Sequence, residues 1–215
     1  MPHRTFGLIL SIAVVSFSSA LSQQTYVPNE NAFSASLFIG RYNAEYKWGF
    51  QGSYALLGIV QVSYTRSSVL SDPHVKNFQE EYFLRVYGPR AKRFFISLGI
   101  GYLYQKVGPE LLLGFPVVVK THGVGFEGGL HYVAENSETR RTVVSVSYLH
   151  FKPREELLVP GRSFMSDKFA RSVSVDVAVV YYLGQVGLVV GPRITLDTDF
   201  RNVFFGVQSS FLIRH

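Results

Sequence analysis

Bulky apolar residues recur at every second position along most of this chain, with small or polar residues between them. That alternation limits the fold more than any other feature. The cleanest case spans 93–106. There Phe94, Ile96, Leu98, Ile100, Tyr102 and Tyr104 fall on one side of an extended chain, and Phe95, Ser97, Gly99, Gly101, Leu103 and Gln105 on the other. A helix would scatter both sets around its axis, whereas a strand sends successive side chains to opposite faces. The stretch 202–215 repeats the pattern: Val203, Phe205, Val207, Ser209, Phe211 and Ile213, apolar but for one serine, alternate with Asn202, Phe204, Gly206, Gln208, Ser210, Leu212 and Arg214, mostly small or polar.

Ten stretches carry it: 33–40, 45–54, 59–66, 78–87, 93–106, 117–133, 141–151, 169–182, 186–196 and 202–215. They predict five antiparallel hairpins. Connections after the second, fourth, sixth and eighth strands are short. Those after the third, fifth and seventh (67–76, 107–116 and 152–167) are long, with 152–167 the longest, while those after the first and ninth are short. Short turns at one end and longer loops at the other is the outer-membrane pattern, with both termini on the turn side. Pro192 falls inside the ninth strand, where its missing N–H calls for a bulge that Gly191 would suit. If 33–40 is not a wall strand, the first two strands fuse and eight remain.

The faces are unlike those of a soluble sheet. One is Val, Ile, Leu, Phe and Tyr; the other is Ser, Gly, Thr and Gln with a few charges. Soluble strand surfaces carry Lys and Glu freely, yet charged residues are only 17% of this chain, against 15% aromatic. The expected fold is all-β: an antiparallel up-and-down transmembrane β-barrel of ten strands, with eight as the alternative. Its bulky face meets lipid and its small face a narrow lumen. A secreted soluble barrel with inverted faces is the competing architecture. Tyr46, Tyr54, Tyr64, Tyr82, Tyr102, Tyr104, Tyr132, Tyr148 and Tyr181 are expected near strand ends, as an aromatic girdle.

Residues 1–22 form a signal-peptide pattern. An apolar run over 6–17 follows Arg4, and Ala20-Leu21-Ser22 offers small residues for cleavage before Gln23. Residues 23–32 are then a periplasmic extension and 33–215 the barrel. The chain has no cysteine, hence no disulfide and no thiolate metal site. The net charge of +6 is spread along the chain without a basic run. That argues against a nucleic-acid partner and for outer-membrane lipid, lipopolysaccharide included.

The small face carries Lys47, Glu81, Arg85, Glu127, His131, Asp176 and Arg193, with Arg214 at the margin of the set. Acids and bases nearly balance. Buried charges persist only when paired and hydrogen-bonded. A salt-bridge network that fills the lumen is one reading; a narrow polar conduit gated by that network is the other.

With these hairpins, the export signal and the closing strand, the chain resembles the small bacterial outer-membrane β-barrel family. These are the OmpA/OmpX-like and related outer membrane protein β-barrel domain proteins, and the resemblance covers about residues 31–215. It implies an outer-membrane location, a monomer, assembly by the barrel-assembly machinery and no cofactor. The function it implies is a structural or interaction role with a largely filled lumen. The alternatives are a narrow pore or transporter for small solutes, and a lipid-modifying enzyme or protease. Family chains usually end in an aromatic residue, whereas this one ends in His215.

Lipid A deacylases are of similar size and use a His-x-Ser pair with an acidic partner. His150, with Glu155 and Glu156 close behind, is the candidate, but Lys152 stands where the serine belongs. Without that nucleophile the mechanism fails. Outer-membrane proteases are similar in strand count and use Asp and His groups at the barrel mouth to activate water. Asp72, His74, Asp167, Asp197 and Asp199 fall in or beside the outer loops, without a specific spacing. Gly123-x-Gly125-x-x-Gly128 matches a dinucleotide fingerprint by letters, but no helix follows, so these are packing glycines. His122 and His131 do not have a ligand spacing on one strand face. Leu157, Leu158 and Val159 give loop 152–167 an apolar tip that touches a partner or lipid, or packs over the barrel mouth.

Overall fold

The computed structural model describes residues 31–42, 45–70, 77–89, 91, 93–112, 115–137, 139–167, 169–197 and 203–214. The expected signal peptide and nearly all of the 23–32 extension lie outside them. Among the described residues there are eleven strands: β1 (Ala32–Tyr42), β2 (Glu45–Leu56), β3 (Val60–Leu70), β4 (Asn77–Tyr87), β5 (Phe94–Leu112), β6 (Phe115–Ser137), β7 (Arg140–Val159), β8 (Arg162–Asp167), β9 (Ala170–Leu183), β10 (Val186–Asp197) and β11 (Val203–Arg214). Ten of them form a closed antiparallel wall, from β1 through β7 and then β9 to β11. Eleven residue pairs, from Ala32↔Arg214 to Tyr42↔Phe204, join β1 to β11. β1 pairs equally fully with β2. The first strand is thus a wall strand, and the eight-stranded alternative falls.

The connections 56–60, 87–94, 137–140 and 183–186 lie at one end with Ala32 and Arg214. We call this the turn end and the other the loop end. In the first turn Leu57 and Gly58 both have positive φ, 53° and 63°, the combination that follows the right-handed twist of paired strands. The Leu57 N–H donates to Asn31 Oδ1 at 2.9 Å, which helps hold a leucine in the left-handed region.

Two expected loops are strands. β5 and β6 run on as a hairpin through 107–112 and 115–120, with a register shift between Val107 and Glu110. β7 continues to Val159 and folds back as β8, which pairs from Arg154↔Asp167 to Val159↔Arg162. The alternation that marks a strand comes from a contrast between an outward and an inward face. Along most of these extensions both faces are at least partly exposed, so the contrast weakens while the backbone ladder continues.

Pro192 also differs from expectation. Val190 pairs with Val179 and Arg193 with Asp176, one unbroken register, so there is no bulge. The β9 ladder lapses at Gly191 and Pro192, while the β11 ladder runs through both. At Gly191 the β9 backbone approaches closely: an added Cβ would lie 2.8 Å from Ala178 Cα.

The bulky face points outward, with Leu37, Leu98 and Phe126 more than 60% exposed. The aromatic residues are only partly a girdle. Tyr132 stacks beside Phe94 at the turn end, with centroids 4.9 Å apart. Tyr64, Tyr82 and Tyr102 are opposed across β3, β4 and β5 and lie mid-strand.

Gly191→Val should destabilise the barrel by about 1–3 kcal/mol, as overpacking does. Gly52→Ala, whose added carbon meets nothing within 4 Å, should change stability by less than about 0.5 kcal/mol. Urea unfolding of the vesicle-embedded barrel, followed by heat-modifiable gel migration, checks both.

Candidate functional site: the barrel lumen

Inward positions on each strand are the small-face positions of the sequence, and they are closed off from solvent. All seven lumen residues read from the sequence are at most 4% exposed. Three cations (Lys47, Arg85 and Arg193) share the space with three carboxylates (Glu81, Glu127 and Asp176).

Arg85 lies two strands from Glu127, with Gly99 of β5 between them in register. The guanidinium reaches across that glycine: Nε and Nη2 are both 2.9 Å from Glu127 Oε2. A Cβ on Gly99 would sit 3.0 Å from Arg85 Cγ. Arg85 Nη1 donates to Ser63 Oγ at 2.8 Å, and its guanidinium lies 4.6 Å from the centre of the Phe83 ring. His131 is held the same way. Ser97 Oγ is 2.8 Å from Nε2 and Ser145 Oγ is 3.0 Å from Nδ1. Gly129 leaves the room for the Ser97 contact, since its added Cβ would fall 2.5 Å from Ser97 Oγ. The imidazole stacks on Phe95, with centroids 4.6 Å apart.

The polar network continues along neighbouring strands. Tyr87 donates its hydroxyl to Gln61, Gln61 Nε2 donates to Ser53 Oγ at 3.1 Å, and Ser53 meets Ser34 at 2.7 Å. Lys47 Nζ donates to Gln79 Oε1 at 3.4 Å, and Gln79 donates to Glu81. Asp176 and Arg193 are direct cross-strand partners with Oδ1 and Nε 3.2 Å apart. The Nη atoms of Arg193 and the amides of Gln51 and Gln208 have no hydrogen-bond partner among the described residues. That side of the lumen holds the polar groups a water would use.

Apolar layers bracket the network. At the turn end Tyr87, Phe95, Val133, Val143, Val180, Tyr182 and Leu212 belong to one buried cluster. Arg214 reads as an inward residue: its guanidinium lies 4.1 Å from the Tyr182 ring centre, and Arg141 lies 5.3 Å from it. Towards the loop end Phe83, Leu103, Leu149 and Phe151 form a second cluster, and Phe38 and Phe204 a third. These phenylalanines lie over glycines. A Cβ on Gly125 would meet the Phe151 ring at 2.6 Å, and one on Gly40 would meet Phe204.

The residues that sequence reasoning missed are neutral: Gln61, Ser63, Ser97, Ser145 and the glycines beneath the large side chains. Their signal was inward parity alone. Among the described residues the enzyme candidates do not converge. His150 faces outward against Phe169, at 6.0 Å between centroids. Asp167 takes Arg154 at 3.4 Å. Asp72, His74 and Asp199 lie outside the described residues. Among the described residues no group of three His, Cys, Asp or Glu side chains is placed to hold a metal ion.

No protein-family model and no curated protein matches the chain. Solved structures do. The translocator domain of the autotransporter NalP from Neisseria meningitidis aligns over 98% of this chain and 96% of its own, at TM-score 0.55 and 7% identity. The outer membrane protease OmpT from Escherichia coli aligns over 95% and 100%, at 0.52 and 11%. CdiB from Acinetobacter baumannii aligns over 78% of this chain at TM-score 0.41 and 15% identity, and the chain spans 32% of its length. At such identities the likeness is one of fold: a closed outer-membrane-type β-barrel.

Replacing Arg85 alone by Met removes the guanidinium that Glu127 faces in the lumen. It should cost about 3–5 kcal/mol, and adding Glu127→Met should recover most of that. The urea midpoints of the two variants against the parent decide this.

Proposed function

We propose that the chain is a monomeric outer-membrane barrel of the small OmpA/OmpX-like kind, with a structural or interaction role rather than a conducting one. Residues 1–22 direct its export, and the barrel-assembly machinery inserts it with the turn end in the periplasm. The outward band of bulky apolar side chains supports the membrane location, because no water-soluble surface carries a contiguous patch of that extent. One observation carries the functional reading. The lumen is packed, with a buried apolar cluster at the turn end and paired charges above it.

A narrow pore is the second reading. The polar atoms of Gln51, Gln208 and Arg193 without a hydrogen-bond partner among the described residues favour it, because they mark a hydratable strip beside β10 and β11. For conduction that strip would have to breach the cluster around Tyr182.

Planar-bilayer recording separates the two. The parent barrel should show no steady conductance. Tyr87→Ala with Phe95→Ala and Tyr182→Ala should open the turn end and produce steps. Steady steps from the parent that change with Glu81→Gln or Arg85→Gln would overturn the filled-lumen reading.

A further inference from the structure

We draw no further inference here: the strongest candidate, the free edge of β8 at the loop end, where Phe164 and Met165 are exposed, pairs only with β7 among the described residues, and nothing in the structure shows what covers it.

Discussion

Backbone closure is the constraint on which the rest of this structure depends. A wall in lipid has no water to satisfy its peptide groups, so every N–H and C=O must find another strand. The eleven pairs between β1 and β11 supply that closure, because without them both strands would be open edges. Once the cylinder is closed, the period of two does the rest. Each strand presents bulky side chains outward and small ones inward, and the inward set becomes a lumen by geometry alone.

A narrow lumen cannot hold large side chains from every strand, and glycine resolves the crowding. Arg85 reaches Glu127 only because Gly99 stands between them, and His131 reaches Ser97 across Gly129. Phe151 lies over Gly125 for the same reason. Several of the large inward groups are therefore matched by a glycine on a neighbouring strand. This pairing also makes the charges tolerable, since a buried guanidinium is stable only with its carboxylate and hydrogen bonds in place. Beyond the wall β5, β6 and β7 continue as paired strands, and β8 folds back on β7.

The wall was legible because its signal is local. Arg93 to Lys106 alternates cleanly, and so do the nine other stretches. The extensions of β5 through β8 were not legible, because alternation reports an asymmetry of environment rather than the presence of a ladder. Pro192 misled for a related reason. A missing N–H was expected to force a bulge, but the ladder to β9 simply lapses while the register holds. In the lumen the charged residues stood out by type and parity. Their serine and glutamine partners did not, because Ser63 and Ser97 look like any other small inward residue until the strands are set side by side.

The amino-acid sequence by itself determined the class of fold: strands of period two, an odd outward greasiness, and a set of inward charges that must find partners. Side-chain direction follows from the backbone repeat, so parity alone separates lipid-facing from lumen-facing positions. Only the tertiary structure decided which charge meets which. Arg85 and Glu127 are 42 residues apart, and their contact depends on strand order, register and the glycine between them. Lys106 and Lys120 are likewise opposed only because β5 and β6 pair in that register.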